Sequence, residues 1–432
     1  MVRKITLAAT LALFFVFNTL QANENQHLVS YKLAFTKSVA DLEAKWKEAG
    51  IPKIVAPIQY GVNAYEVIYN TTYHDGTPII ASGVYFVPIE KTTDLPKVVY
   101  FHGTQIEKSR KIKIGGEMAI CTGLATDGYA ALYVDYMGLG EGEGFHIYQH
   151  CETEALAGLD MLRAVEELNK ELNYSFNEML FSTGYSQGGH GSISFHRYIE
   201  EHPETGYTIT ASSPMSGAYD MAGAQERAML EPYSHPGYLP YLMAGYNEVY
   251  KMYDDISVVI KSPYDTLLLP MLDGNHSMGD LNKVMPTIPS DFIEDEFKEE
   301  YFNNDNHPFK EALRKNSFLD WKPEAPIQLC YCKGDEQVYY ENTENTYKAM
   351  KELGASHVTK RQSGRKFGHN TCALYASLYT KMYFDSFAKK GKEYGKKGPA
   401  FKRLLISVSK IRIRRDVRQK KKEGTYKERH QE

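Results

Sequence analysis

The chain has 432 residues, of which 43% are hydrophobic and 24% are charged, and its net charge is −4. This length exceeds what one compact sheet domain usually needs, so it predicts two domains or one large domain with a substantial insertion. The mean hydropathy of −0.44 and the lack of any internal apolar run of membrane length exclude a polytopic membrane protein.

The first 22 residues have the pattern of a signal peptide. Arg3 and Lys4 precede an uncharged stretch, residues 5–20, and polar sequence follows Ala22. An uncleaved membrane anchor is the alternative, but the stretch is shorter than about 20 residues and has no basic residue on its far side. We therefore expect an exported protein, periplasmic or extracellular, with no transmembrane segment in its mature chain.

The exported chain contains five cysteines. An oxidising compartment permits disulfides, but an odd number leaves at least one thiol unpaired, and the sequence leaves the pairing open. Cys330 and Cys332 lie two residues apart without a second such pair or a His at ligand spacing, so no zinc site is expected.

The chain then predicts an ordered series of strands and helices. After a segment expected to be helical and peripheral, residues 27–55, two β-rich runs flank an Asp-Gly turn and predict a hairpin. Strands and helices then alternate, with strands expected at 97–101, 129–134, 179–183 and 207–213 and helices at 117–125, 152–172 and 187–201. Such alternation indicates a mostly parallel sheet with helices on both faces.

The pattern breaks over about residues 221–321, which are rich in Tyr, Met, Leu and Pro. We interpret this insertion as a helical cap, because long insertions at the carboxyl ends of strands lie over the site in α/β folds. Structural padding is the alternative. A strand at 326–332, a helix at 341–353, a strand at 357–362 and a helix at 371–387 complete one domain, residues 27–388.

The last segment, residues 389–432, carries 17 Lys or Arg and five Asp or Glu, a local excess of +12 that leaves about −16 on residues 1–388. We predict a solvated, disordered tail. The alternative is attachment to an anionic surface such as lipid headgroups, cell-envelope polymer or nucleic acid.

The strongest motif is Gly-Tyr-Ser-Gln-Gly at residues 184–188, directly after a predicted strand and directly before a predicted helix. Gly-x-Ser-x-Gly in this context raises the serine hydroxyl on a sharp turn, so Ser186 is the candidate nucleophile. The helix that follows adds its positive end where an oxyanion would form.

A serine nucleophile needs a base and a carboxylate that orients the base, in the chain order Ser, acid, His. Asp335 follows the strand at 326–332 and is the candidate acid, with Glu336 as the alternative. His369 follows the strand at 357–362 in a glycine-flanked loop and is the candidate base. His357 lies at the start of that strand, at the opposite edge of the sheet.

The oxyanion requires two backbone donors. We assign them to the amides of Gln187 and of Thr104, which lies in the loop after the strand at 97–101. His102 is expected to hold that loop, Asp135 to hold the loop after the next strand, and His190 to be a packing residue.

These landmarks together resemble the secretory lipase family of the α/β-hydrolases, known from fungi and with bacterial relatives. The resemblance covers about residues 50–387 and is carried by residues 100–104, 135–140, 148–164, 184–189, 316–321, 334–338 and 368–369. It implies an α/β-hydrolase fold with a cap over an acyl pocket, with Ser186, Asp335 and His369 at the triad positions. It does not reach the basic tail.

The expected function is hydrolysis of carboxylic esters, including lipid esters, through an acyl-enzyme on Ser186. The mechanism requires no metal or organic cofactor. A serine peptidase on the same fold is one alternative, because triad chemistry does not distinguish esters from amides. A non-catalytic binding protein that acts through its basic tail is another.

Overall fold

The computed structural model describes residues 26–48, 51, 53, 56–390 and 398–422. Nine strands form one sheet in the order β1-β2-β3-β5-β4-β6-β7-β8-β9. The pairs from β1 through β3 to β5 are antiparallel, and every pair from β5 through β4 to β9 is parallel. The predicted α/β class, with a mostly parallel sheet, is confirmed.

The strands are β1 Leu28–Lys37, β2 Val62–Thr72, β3 Pro78–Pro88, β4 Leu95–Phe101, β5 Ala130–Val134, β6 Phe176–Tyr185, β7 Ala211–Met215, β8 Ile327–Cys332 and β9 Val358–Gly364. The α-helices are α1 Val39–Glu48, α2 Met118–Ala125, α3 Cys151–Leu172, α4 Gln187–Glu201, α5 Tyr238–Tyr250, α6 Tyr264–Leu267, α7 Met278–Val284, α8 Asp295–Asn303, α9 Pro308–Lys315, α10 Glu341–Glu352, α11 His369–Ala388 and α12 Pro399–Lys422.

Helices cover both faces of the sheet. Helices α1, α2 and α11 pack on one face and α3 and α4 on the other, each with its own hydrophobic cluster. The central strands β4 and β5 are buried along their whole length, as their continuous apolar sequence requires. The predicted hairpin is also confirmed, since β2 and β3 pair over their whole length.

The segment before the hairpin differs from the prediction. The structure has an edge strand, β1, before the short helix α1, and β1 pairs antiparallel with β2. Val29, Tyr31, Leu33 and Phe35 alternate with other residues at the period of a strand. This signal is weak in the sequence because the strand depends on a partner strand 25 to 41 residues away, and most of its side chains are exposed.

The regular secondary structure of residues 221–321, the predicted cap, is mostly helical. They contain five α-helices and four 3-10 helices, and their only β element is the isolated bridge between Ile260 and Ile293. Their apolar side chains form a separate hydrophobic cluster with residues near Ser186, such as Tyr148 and Ala218. The role of this segment as a cap stays a prediction.

The basic tail also differs from the prediction, because residues 399–422 form helix α12. Lys402, Ile406 and Lys410 recur every four residues and are buried on one face of α12. The Lys410 ammonium donates to the Tyr379 hydroxyl of α11 at 3.0 Å. The high positive charge of the tail favours disorder of this segment, but the contact of α12 with α11 stabilises the helix.

The rest of the tail, residues 391–397 and 423–432, and the predicted signal peptide lie outside the described residues. Within the described ranges, no helix is both long enough and apolar enough to cross a bilayer.

Candidate active site

Ser186 occupies the turn between β6 and α4. Its φ of 60° and ψ of −121° are outside the regions that non-glycine residues prefer, a conformation that costs on the order of 1–3 kcal/mol and that surrounding structure must impose. Its amide donates to the carbonyl of Met215 at 3.0 Å, which ties the turn to the end of β7.

The glycines of the motif allow backbone segments to approach closely around this turn. A Cβ atom at Gly184 would overlap the carbonyl of Gly188, and one at Gly188 would overlap the carbonyl of Phe101 in β4. At Gly189 a Cβ would lie 2.6 Å from the carbonyl of Met215. The predicted need for small residues on both sides of Ser186 therefore has a direct steric cause.

His369 and Asp335 form a buried pair. The Nδ1 atom of His369 lies 2.8 and 2.9 Å from the two carboxylate oxygens of Asp335, and both residues are at least 90% buried. The Asp335 carboxylate also accepts the amides of Gln337 and Val338 at 3.1 and 2.9 Å. The carboxylate is thus held in place to orient the imidazole.

The surroundings of His369 shift its proton affinity. Burial alone lowers the pKa of His369, but the charge and hydrogen bond of Asp335 and the charges of Glu336 and Glu117 outweigh it. The net effect raises the pKa above its ordinary value. This environment stabilises the imidazolium that a general base forms when it takes a proton.

Two neighbours hold the backbone of His369. The Tyr185 hydroxyl donates to the His369 carbonyl, and the Glu336 carboxylate accepts the His369 amide at 3.1 Å. Glu336, the alternative acid, thus contacts the first residue of α11. Asp335 is the carboxylate that contacts the imidazole.

The candidate residues come from loops at one edge of the sheet. Thr104 follows β4, Ser186 follows β6, Asp335 follows β8 and His369 follows β9, and these four strands run parallel. Thr104, Ser186 and His369 all border one groove of about 730 Å³. The sheet therefore brings the predicted nucleophile, base and oxyanion loop to a common surface.

One backbone amide of the predicted oxyanion loop already donates a hydrogen bond within the protein. The amide of Gly103 donates to both carboxylate oxygens of Glu117, at 3.0 and 3.1 Å. This leaves Thr104 as the candidate donor of the loop. Gln187 begins α4, where amides have no partner within the helix.

His102 is fully buried at the start of this loop, directly after β4. Its Nδ1 atom is 2.6 Å from the carbonyl of Gly103, and its ring stacks on Tyr133. These contacts agree with the expectation that His102 holds the loop. The contacts of Asp135 also agree with its expected role of holding a loop, because its carboxylate binds the Arg110 guanidinium and accepts the Ser82 hydroxyl.

Glu117 is a site residue that the sequence interpretation missed. It precedes α2, borders the groove and accepts the Tyr100 hydroxyl at 2.7 Å in addition to the Gly103 amide. Desolvation by the surrounding protein raises its pKa to about 7. No motif marks this glutamate, because its partners are 14 and 17 residues away and meet it only in the fold.

A second missed residue, Glu154, lies under the start of α4. Its carboxylate accepts the Gln187 side-chain amide at 2.9 Å and lies 2.6 Å from Nδ1 of His190. All three side chains are fully buried. Burial alone lowers the pKa of His190, but the charge of Glu154 raises it well above its ordinary value. His190, expected to be a packing residue, is therefore a hydrogen-bonded partner of Glu154.

Hydrolases are among the solved structures that are similar to this chain. A candidate hydrolase from Legionella pneumophila is 25% identical with a TM-score of 0.76, and the match covers 84% of this chain and 99% of that one. The ligand-bound rice cell wall degrading esterase LipA from Xanthomonas oryzae is 25% identical with a TM-score of 0.71, covering 84% and 96%.

Candida antarctica lipase A in its closed state is 14% identical with a TM-score of 0.62, covering 84% of this chain and 82% of that one, and supports the fold alone. No protein-family model and no curated protein sequence matches this chain. The two neighbours at 25% identity, a hydrolase and an esterase, support a hydrolase on this fold. The chain therefore belongs to the α/β-hydrolase superfamily, and these neighbours support the resemblance of its sequence to the secretory lipase family.

Proposed function

We propose that this protein is a serine carboxylic-ester hydrolase in which Ser186 is the nucleophile, His369 the general base and Asp335 the residue that orients the base. The observation that carries the proposal is the buried pair of His369 and Asp335, joined at 2.8 Å, beside the groove that Ser186 also borders. The strained turn at Ser186 supports it, because such strain is typical of functional sites.

The mechanism follows from these roles. His369 takes the proton of Ser186 as its hydroxyl attacks the ester carbonyl, and the amides of Gln187 and Thr104 stabilise the oxyanion. His369 then donates the proton to the leaving alcohol, which departs and leaves an acyl group on Ser186. Water, activated by His369, releases the acid and restores the serine.

Replacing the nucleophile tests the proposal. Ser186→Ala should lower kcat for p-nitrophenyl butyrate by at least about a thousandfold, because the acyl-enzyme can no longer form. Its circular dichroism should match that of the wild type. The control is Ser194→Ala, a buried serine of the same helix that donates to the His190 carbonyl, and it should retain turnover. Turnover by Ser186→Ala equal to that of the wild type would remove the assignment.

Two further measurements separate this function from its alternatives. A fluorophosphonate probe should label the wild type at Ser186, whereas a non-catalytic binding protein would stay unlabelled. Activity on aminoacyl-proline anilides with none on esters would instead favour a serine peptidase.

Export through residues 1–22 is part of the proposal. The disulfide between Cys332 and Cys372 supports it, because such bonds persist in oxidising compartments. Sequencing the N-terminus of the mature protein tests it, and a mature chain that still begins at Met1 would contradict cleavage.

Attachment of the basic tail to an anionic surface is also proposed, and α12 favours lipid headgroups over the other surfaces. Leu404, Val408 and Ile411 lie on one exposed stripe of α12, with side chains 50–58% exposed. Arg403, Arg415 and Arg418 of the same helix are exposed as well. An apolar stripe beside basic residues is typical of helices that lie in a membrane interface.

A further inference from the structure

Two separate spaces meet at Ser186. The first is an apolar cavity of about 60 Å³, lined by Ser186 and mainly by side chains of the predicted cap, including Met221, Met229, Leu239 and Leu242. The second is the groove of about 730 Å³, which Ser186 shares with His369. A hydrogen bond of 2.9 Å joins Thr104, which borders the groove, to Tyr148, which borders the cavity.

The proposed chemistry decides which part of an ester enters each space. His369 must reach the oxygen of the leaving alcohol to donate a proton to it. His369 borders the groove and is absent from the lining of the cavity. The alcohol therefore belongs in the groove, and the acyl chain extends into the cavity.

The two volumes then limit the substrate. The acyl cavity is less than half of the roughly 150 Å³ in which an engineered cavity holds benzene, so it suits acyl chains of about two to four carbons. The groove falls within the range of about 300–1,000 Å³ that holds drug-sized ligands. Its walls combine apolar residues such as Trp46, Ile120 and Leu378 with polar residues such as Gln105 and Asn282.

Building on the proposed function, we propose that the physiological substrates are short-chain acyl esters of bulky alcohols that have both apolar and polar surface. The small cavity selects against long acyl chains, while the groove binds the alcohol. Long-chain acylglycerols are then poor substrates of this enzyme, although their ester bonds are chemically equivalent.

The acyl preference is tested with 2-phenylethyl acetate, butyrate and octanoate. We expect kcat/KM for the butyrate to exceed that for the octanoate by at least about tenfold. Each methylene group that the cavity cannot hold weakens the binding of the transition state. A preference for the octanoate, in a protein whose turnover requires Ser186, would overturn the inference and leave the proposed function intact. Absence of turnover and of fluorophosphonate labelling would overturn both.

A matched pair of variants tests the cavity itself. Met229 and Met285 are both 8% exposed and belong to the same hydrophobic cluster, but only Met229 lines the cavity. Met229→Ala should raise the ratio of octanoate to butyrate turnover by about tenfold. Met285→Ala should leave this ratio unchanged. Equal ratios in the two variants would contradict the acyl assignment.

The alcohol preference is tested by comparing ethyl butyrate with 2-phenylethyl butyrate, whose alcohols differ little in acidity. The bulkier ester should have the higher kcat/KM, by about tenfold or more. Ala373→Phe, which places a ring in the groove, should reduce this preference, whereas Ala349→Phe on α10, outside both spaces, should preserve it. An equal preference in the two variants would overturn the alcohol assignment.

Discussion

Glu117 is a buried carboxylate outside the predicted triad that acts on the proposed base through its charge. Its charge is among those that raise the pKa of His369, and its own pKa is raised to about 7. A general base works only when neutral, so a raised pKa of His369 moves the acidic limb of the activity profile to higher pH. Glu117 thus contributes to the pH range in which the proposed base is active.

Glu117→Gln tests this contribution. The amide keeps an acceptor for Gly103 but removes the negative charge, so the pKa of His369 should fall and the acidic limb of kcat/KM should move to lower pH. The profile is measured with p-nitrophenyl butyrate from pH 5 to 9. Glu107→Gln, at an exposed position of the same loop region, should leave the limb in place. A limb that stays fixed or moves to higher pH in Glu117→Gln would contradict the coupling.

Among the elements, β8 and α11 are joined covalently next to the candidate acid and base. Cys332 lies three residues before Asp335, and Cys372 lies three residues after His369. Both cysteines are fully buried. The disulfide therefore connects the strand that precedes the candidate acid with the helix that begins at the candidate base.

Removing this disulfide should destabilise the protein. It closes a loop of 40 residues, for which chain entropy predicts a loss of about 4 kcal/mol in the free energy of unfolding. We expect this loss in the double variant Cys332→Ala/Cys372→Ala, measured by urea denaturation. Cys330→Ala, which removes a free buried thiol of the same strand, should cost only about 1 kcal/mol. A similar loss in both proteins would show that the bond contributes little.

At the scale of the whole molecule, charge is divided between two parts of the chain. Residues 389–432 carry an excess of +12, and the remainder carries about −16. Helix α12 packs against α11 through its buried face and exposes Leu404, Val408 and Ile411. This arrangement directs basic and apolar groups of one helix towards solvent.

The full-length protein should bind anionic vesicles in preference to neutral ones. Each basic residue near an anionic bilayer contributes about 1 kcal/mol, so we expect cosedimentation with phosphatidylserine vesicles to exceed that with phosphatidylcholine vesicles by at least about tenfold. The triple variant Leu404→Ser/Val408→Ser/Ile411→Ser should bind more weakly, and Leu353→Ser, exposed directly after α10, should not. Equal binding to both vesicles, or binding to DNA alone, would contradict attachment to lipid.

The sequence by itself determined the alternating fold and the turn at Ser186. These features depend on local physics, because apolar periodicity specifies each strand and helix, and the small glycines around Ser186 permit the close backbone approach that the turn needs. Chain order and the ends of strands were then enough to select Asp335 and His369, which the structure places 2.8 Å apart.

Only the tertiary structure decided the rest. Glu117 meets Gly103, Cys332 meets Cys372, and α12 packs on α11 through contacts between distant segments that leave no periodic pattern in the chain. The unequal spaces on either side of Ser186 also arise from packing between the predicted cap and the sheet domain. The volumes of these two spaces and the pairing of distant residues depend on three-dimensional complementarity, which local sequence patterns do not encode.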